Sequence, residues 1–111
     1  MPAYVIVSIE IHDPVLYERY KLAAPAAIGA YGGKYLTRGG AVEVIEGEWT
    51  PRRLVILEFP SMEKARAWHG SPEYASALAM RHSSSTSLML FVEGLPEPFV
   101  PAPPAAGRGA A

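Results

Sequence analysis

The sequence contains no cysteine, which excludes disulfide bonds, thiolate catalysis and cysteine-based metal sites. It also lacks a basic surplus, since 10 Lys and Arg stand against 11 Asp and Glu for a formal net charge of −1. Because clustered cations are what bind a phosphate backbone, we expect no nucleic-acid partner. No apolar run approaches the roughly 18 residues of a membrane span, so we expect no membrane partner.

The first residues, MPAYVIVSIEI, lack the positively charged start of a secretory signal, and two polar residues interrupt their apolar run. We therefore expect a cytoplasmic protein. The 111 residues are 50% hydrophobic and 19% charged, the composition and size of one globular domain. We expect that domain over residues 1–95, followed over residues 96–111 by a Pro/Ala/Gly-rich tail that cannot build a core. In the tail, Phe99 and Val100 are candidates for docking on a neighbouring molecule.

Hydrophobic patterning predicts the order strand, helix, interrupted strand, strand, helix, strand. The predicted strands are residues 3–11, 34–38 with 42–47, 53–59 and 87–94. A first helix begins after Asp13 and ends at Gly32-Gly33, and a second begins after Ser61 and restarts at Ser71. Two β-α-β halves of this kind form an α+β, ferredoxin-like βαββαβ sandwich with both helices on one face of the sheet.

Three local features refine this prediction. Pro25 is expected to kink the first helix or divide it. Residues 50–53 are expected to form a turn and Ser83 to Ser85 a loop. The strand over 53–59 is apolar on both faces apart from two charged residues, which indicates a central strand.

Large apolar residues occupy both faces of the last two predicted strands. Helices cover only one face of such a sheet, so the other face needs a second cover. We expect a homodimer, because a two-fold copy of the chain is the commonest cover of this kind. The alternative is a monomer with scattered apolar residues on its surface.

The stretch GGKYLTRGG at residues 32–40 places Arg38 directly before a Gly-Gly pair, within a segment that otherwise has the pattern of a strand. One interpretation is a β-bulge or tight turn, in which glycine supplies positive φ and Arg38 caps the bend or pairs with a carboxylate. The other uses the same bend to turn Arg38 into a cavity, where it holds a carboxylate or enolate through two hydrogen bonds.

Glu58 interrupts an apolar strand, and carboxylates are seldom buried without a partner. It is either paired with Arg38, Arg53 or Arg81, or it is a general base in an apolar environment.

Aromatic residues on both helices face the predicted sheet. Tyr17, Tyr20, Trp68 and Tyr74 are core residues in one interpretation, with each polar atom finding a partner. In the other, Tyr20, Trp68 and Tyr74 form the wall of a small-molecule pocket. Arg81 lies seven residues after Tyr74 on the same helix face, where it closes the pocket or binds a carboxylate.

The histidines are His12, His69 and His82. None lies in an HExxH pattern or four residues from another, so we expect no metal site. His12 follows the first strand, where it can serve as an acid or base, pair with Asp13 or cap the helix. There is no P-loop and no GxGxxG after a strand, and nothing marks an axial haem ligand, so we expect no cofactor.

Several motifs occur together over residues 2–95: YGGKYLTRGG (31–40), IEGEWTPRRLVILEFPSMEKARAW (45–68), SPEY (71–74), Arg81 and VEG (92–94). In these motifs the chain resembles the uncharacterised bacterial family called domain of unknown function 1330. The resemblance implies a dimeric α/β-barrel, in which two ferredoxin-like sheets pack face to face. Relatives in this superfamily include cofactor-independent monooxygenases, lactone isomerases, haem enzymes and stress-response proteins, often with a pocket between sheet and helices.

We therefore expect a small-molecule-binding protein or a cofactor-independent enzyme for a small anionic or carbonyl-bearing compound. The enzyme would act by proton abstraction, isomerisation or oxygenation. Arg38 would hold the oxyanion, Glu58 or His12 would move the proton, and Tyr20 would orient the substrate. The alternative is a non-catalytic homodimerisation or protein-interaction module, in which Arg38 and Glu58 pair in a filled interior.

Overall fold

The computed structural model describes residues 1–104. Four strands and three helices follow one another: β1 (Ala3–Ile11), α1 (Pro14–Ala30), β2 (Lys34–Arg38), β3 (Arg53–Phe59), α2 (Met62–His69), α3 (Pro72–Ser84) and β4 (Ser85–Glu93). The strands form one antiparallel sheet in the order β2-β3-β1-β4, which confirms the α+β ferredoxin-like architecture and the central position of β3. No helix within the described range is long and apolar enough to cross a membrane. The last seven residues of the expected tail, 105–111, lie outside the described residues.

Side-chain caps begin all three helices, as the sequence predicts. Asp13 Oδ1 accepts a hydrogen bond from the Leu16 amide at 3.1 Å. Ser61 and Ser71 accept from amides of α2 and α3 in the same way, each at 3.1 Å. Such caps satisfy amides that have no partner within the helix, so local sequence fixes where each helix begins.

Pro25 does not divide α1, which runs unbroken from Pro14 to Ala30. The proline removes one helical hydrogen bond. On either side of it, however, Ala24, Ala27 and Ile28 are buried in the core. Their packing against the sheet holds both turns of the helix in place, so the prediction of a division was wrong.

The strand predicted over residues 42–47 is also wrong, because this segment is irregular and exposed. Its apolar residues repeat with the period of a strand, but β3 is already paired on both edges. Gly39, with φ +77°, turns the chain away from the sheet after β2. The segment therefore cannot continue alongside β3, and its apolar pattern does not by itself make it a strand.

The serine loop predicted at Ser83 to Ser85 is absent, because α3 passes directly into β4 at this point. Ser84 and Ser85 are buried, and their hydroxyls donate to the Arg81 carbonyl at 3.4 and 2.6 Å. The Ser84 carbonyl in turn accepts from the amides of His12 and Asp13. These bonds satisfy the polar atoms that otherwise favour a solvated loop.

The two faces of the sheet differ in their cover. On the helix side, alternate residues of β1 and β3 form the core with the buried residues of the helices: Val5, Val7, Ile9, Val55, Leu57 and Phe59. On the open side, Leu88, Leu90 and Val92 of β4 are 71%, 55% and 44% exposed. The sheet is therefore apolar on both faces and covered on one.

Candidate functional site

A cavity lies between the helices and the covered face of the sheet, beside α1. Its volume is about 20 Å³, which is room for about one water molecule. Aromatic and aliphatic side chains make most of the wall, and three cations complete it: the lining residues are Val7, Ile9, Tyr17, Tyr20, Lys21, Ile28, Tyr35, Arg38, Arg53, Val55, Leu57, Trp68 and Met89.

An open depression of about 510 Å³ lies directly outside this cavity. Lys21, Arg38 and Arg53 line both spaces, so they form the boundary between solvent and the cavity. The depression contains one acid, Glu18, and its three cations leave a local charge of 3 − 1 = +2. Such a cationic mouth attracts anions.

The two arginines at the mouth have no carboxylate partner within residues 1–104. Among residues 1–104 the ion pairs are Lys21–Glu18 at 3.0 Å and Lys34–Glu58 at 3.1 Å. Arg38 instead donates to the Lys21 carbonyl at 2.7 Å, and its guanidinium lies 4.7 Å from the ring centre of Tyr35. Most guanidinium N–H groups of Arg38 are thus free to bind an anion.

A β-bulge places Arg38 at the cavity. Tyr35 lies opposite Leu57, on the face that the helices cover. In a regular strand Thr37 would come next on that face, but the register shifts by one residue and Arg38 lies opposite Val55 instead. Both sequence interpretations of Arg38 are therefore partly realised, since there is a bulge and it turns the side chain to the cavity.

Gly39 makes room for the second arginine. A side-chain carbon at Gly39 would lie 2.8 Å from Arg53 Cζ and closer still to Nη1. Arg53 Nε donates to the Tyr17 hydroxyl at 3.2 Å, and the guanidinium lies 5.4 Å from that ring's centre. The glycine thus allows Arg53 to lie against the chain and reach the mouth.

Trp68 brings an unpartnered donor to the cavity wall. The side chain is 1% exposed, and its Nε1–H has no hydrogen-bond partner within the described part of the chain. A buried N–H without an acceptor is unfavourable by about 1–3 kcal/mol. An acceptor atom of a ligand or a water in the cavity would satisfy it.

Tyr20 lines the cavity, whereas Tyr74 and Arg81 lie behind it. The Tyr20 and Tyr74 hydroxyls are 2.8 Å apart, and Arg81 Nε lies 3.4 Å from the Tyr74 oxygen. Arg81 also donates to the Ser87 hydroxyl. Desolvation, followed by the neighbouring Tyr74, holds the pKa of Tyr20 far above its usual value, so the phenol stays protonated. The structure brings together Tyr20, Tyr74 and Arg81, but only Tyr20 lines the cavity.

Glu58 lies on the opposite face of the sheet, 3.1 Å from Lys34. The predicted pairing with Arg38, Arg53 or Arg81 was wrong, because strand alternation points Glu58 away from the helices.

His12 is exposed at the end of β1, where its Nε2 lies 2.6 Å from the Thr86 hydroxyl. It neither pairs with Asp13, whose carboxylate caps α1, nor lines the cavity.

Sequence reasoning missed Arg53, Lys21 and Tyr35 as lining residues. For Arg53 a signal was present, because it alternates with Val55 and Leu57 and so shares their buried face. Lys21 and Tyr35 carried no comparable signal, since their positions depend on how α1 and β2 pack.

The described cavity wall contains no Asp, Glu or His. Within residues 1–104 no group of three or more His, Asp or Glu side chains is placed to hold a metal ion. The wall offers donors: guanidinium and ammonium groups at the mouth, and an indole N–H and phenols inside. It can bind and polarise oxygen atoms, but it supplies no side-chain base.

Solved structures of similar fold come from several bacteria. A protein of unknown function from Rhodopseudomonas palustris matches with a TM-score of 0.71 and 17% identity, covering 86% of this chain and 84% of that one. A dimeric ferredoxin-like protein of unknown function from Jannaschia sp. CCS1 gives 0.60 and 16%, with coverage of 85% and 100%. SnoaB, a cofactor-independent oxygenase from Streptomyces nogalater, gives 0.59 and 14%, with coverage of 86% and 98%. At these identities the matches show the fold alone.

Comparison with curated proteins gave no significant match. The family comparison matches residues 2–95, nearly the whole of the βαββαβ unit described above. This agrees with the resemblance seen in the sequence, and the chain belongs to the family described as a domain of unknown function, DUF1330.

Proposed function

We propose that the protein binds a small organic anion, with its charged group between Arg38 and Arg53 and its apolar part in the aromatic cavity. The observation that carries this proposal is a pair of arginines at the mouth of a cavity that have no carboxylate partner in the described part of the chain. A carboxylate there would accept charge-assisted hydrogen bonds from both guanidinium groups. The unpartnered Trp68 N–H supports the same conclusion from inside the cavity.

Entry of such a ligand requires the mouth to open, because the cavity has room for only about one water molecule. Arg38 is exposed and Tyr35 is only partly buried, both on the edge strand β2. Opening requires Arg38 to give up its bond to the Lys21 carbonyl and Tyr35 to shift against the core on which it packs. An anion that draws the two guanidinium groups outward would open the space between them.

Of the enzymatic activities considered, an oxygenation without cofactor fits this wall better than proton abstraction. Neither Glu58 nor His12 lies at the cavity, so neither can take a proton from a ligand there. Because the described wall supplies no side-chain base, the substrate would have to enter already ionised as an enolate, whose oxyanion Arg38 would hold while Tyr20 orients it. Molecular oxygen, with one proton from solvent, would then convert the CH carbon of the enolate to C=O and release the second oxygen atom as water. The fold-level likeness to a cofactor-independent oxygenase is compatible with this activity.

Tryptophan fluorescence tests the binding step. The sequence has two tryptophans, so Trp49→Phe leaves Trp68 in the cavity wall as the sole reporter. Benzoate and 1-naphthoate are the probes, with benzamide and 1-naphthamide as uncharged counterparts. We expect the carboxylates to change Trp68 emission in a saturable manner and to raise the melting temperature. The amides should bind at least about 10-fold more weakly, since they lack the charge-assisted bonds.

Two arginine variants and one control assign the effect to the mouth. Arg38→Met and Arg53→Met should each weaken carboxylate binding by about 10-fold or more. Arg66→Met removes a cation from the exposed surface of α2 and should leave binding unchanged. Equal binding of acids and amides, or equal losses in all three variants, would contradict a specific anion site.

We also propose that the open face of the sheet forms a homodimer. Leu88, Leu90 and Val92 present an exposed apolar row, and structures of similar fold are described as dimers. The same row would serve the second candidate function, a dimerisation module without catalysis. As predicted from the sequence, that module also needed Arg38 and Glu58 to pair in the interior. They lie on opposite faces of the sheet, so that part of the alternative is wrong. Dimerisation through the open face leaves the cavity on the helix side available.

A further inference from the structure

A row of hydrogen bonds runs from a buried cation to the cavity wall. Arg81 is 2% exposed and has no carboxylate partner within the described chain. Its Nε–H points to the Tyr74 oxygen at 3.4 Å, and the Tyr74 oxygen lies 2.8 Å from that of Tyr20. Arg81 and Tyr74 do not line the cavity, whereas Tyr20 does.

The cation determines the direction of these bonds. A guanidinium only donates, so the Tyr74 oxygen must accept from Arg81. Tyr74 is fully buried. Among the described residues, only the Tyr20 oxygen can accept the hydroxyl hydrogen of Tyr74. If Tyr20 donated to Tyr74 instead, the Tyr74 hydroxyl hydrogen would be buried without an acceptor, which is unfavourable. Tyr74 therefore donates to Tyr20, and the Tyr20 hydrogen is left for the cavity.

We propose that Arg81 acts through Tyr74 to make Tyr20 a hydrogen-bond donor to the ligand, so that the site selects anions carrying an uncharged acceptor oxygen. Trp68 Nε1–H is a second donor on the same wall, and no described residue accepts from it. The ligand class is thus a carboxylate with a carbonyl group in its apolar part. Arg81 is a positioning residue in this arrangement, because it fixes the orientation of Tyr20 without touching the ligand. The ligand class rests on the proposed function, but the direction of the hydroxyl bonds does not.

Hydroxyl-proton NMR tests the direction without any ligand. With ¹³C-labelled tyrosine at low temperature, we expect a slowly exchanging hydroxyl proton that correlates with the Tyr74 ring and shows an NOE to the Tyr20 ring. It should disappear in Tyr74→Phe. Arg81→Met should make it exchange faster, and Arg81→Lys, which keeps a cationic donor, should restore it in part. A slowly exchanging proton that correlates with the Tyr20 ring instead would overturn the proposal in the wild-type protein, whether or not the variants fold.

A matched pair of ligands tests the selectivity. 4-Acetylbenzoate and 4-isopropylbenzoate have the same carboxylate and nearly the same shape, but only the first carries a carbonyl oxygen. We expect wild type to bind the acetyl compound about 10-fold more tightly. Tyr20→Phe should reduce this preference to about twofold or less while retaining affinity for the isopropyl compound. The infrared carbonyl band of bound 4-acetylbenzoate should lie at lower wavenumber in wild type than in Tyr20→Phe.

The possible failures are distinguishable. If both compounds bind equally and the carbonyl band does not shift, the anion site stands and the assignment of Tyr20 as donor is wrong. If neither compound binds, the proposed anion site falls, and the inferred ligand class falls with it. The NMR experiment then still decides the direction of the bonds between Arg81, Tyr74 and Tyr20.

Discussion

Substitution of Gly39 by alanine should destabilise the protein in two separable ways. Gly39 has φ +77°, a conformation that an L-residue with a side chain disfavours by roughly 1–2 kcal/mol. The new methyl group would also lie 2.8 Å from Arg53 Cζ, so the guanidinium must move. Movement breaks the bond from Arg53 to the Tyr17 hydroxyl, which contributes roughly 0.5–1.5 kcal/mol.

The sum is a loss of about 1.5–3.5 kcal/mol in the free energy of unfolding. In a domain of this size that loss lowers the melting temperature by roughly 6–17 °C. Urea denaturation and calorimetry of wild type and variant measure both quantities. Because the displaced Arg53 also lines the mouth, carboxylate binding should weaken in the same variant.

Two other glycines separate backbone strain from displacement of the arginine. Gly47 has φ +86° with nothing within 4 Å of an added methyl group, so Gly47→Ala measures strain alone. Gly40 has neither a positive φ nor a close neighbour, and Gly40→Ala should change stability by no more than about 0.5 kcal/mol. In an Arg53→Met background, Gly39→Ala should lose only the strain component.

The reasoning fails if Gly39→Ala is no more destabilising than Gly47→Ala, or if its effect is the same with and without Arg53. Either result would mean that Gly39 is required only for the turn. Equal effects of Gly39→Ala and Gly40→Ala would refute the assignment of positive φ to the first glycine of the pair.

Two further predictions concern the open face and a histidine. Analytical ultracentrifugation should show Leu90→Asp as a monomer at concentrations where wild type is a dimer. The control Leu22→Asp, at an 84% exposed site on α1, should remain a dimer. A dimer that persists in Leu90→Asp would exclude the open face as the dimer interface. Burial, helped by Arg81 and His82, lowers the pKa of His69 below 6.5 in the folded protein, so the unfolded chain binds the proton first as pH falls. The free energy of unfolding should therefore decrease between about pH 7 and pH 5, and His69→Gln should flatten that decrease in urea titrations.

Local signals in the sequence were sufficient for most of the fold. The caps at Asp13, Ser61 and Ser71 involve residues no more than three positions apart, so a short stretch of sequence is enough to predict them. Runs of apolar residues of strand length predict β3 and β4, and alternation in β1 also marks its buried face. The failure at residues 42–47 has a different origin, since the pattern is right but the chain turns away from the sheet at Gly39 and β3 is already paired on both edges.

The candidate site was less predictable, because its residues come from separate elements. Arg38 and Tyr20 were expected at a cavity, and both line it. Glu58 was grouped with Arg38 as a charged residue among apolar ones. The sequence shows which residues of β3 share a face, but it does not show which of the two faces the helices cover. The pairing of β3 with its neighbours decides this, and it places Glu58 beside Lys34.

The position of the bulge shows most clearly what sequence alone leaves open. The glycine pair suggested an irregularity after Arg38, and Gly39 does have positive φ. The register shift, however, occurs before Arg38, at Leu36, which has no sequence feature of a bulge. Without this shift, strand alternation would direct Thr37 to the cavity and Arg38 to the open face. One extra residue in an edge strand thus gives the cavity one of its three cations, and pairing with β3 rather than local propensity determines where that residue lies.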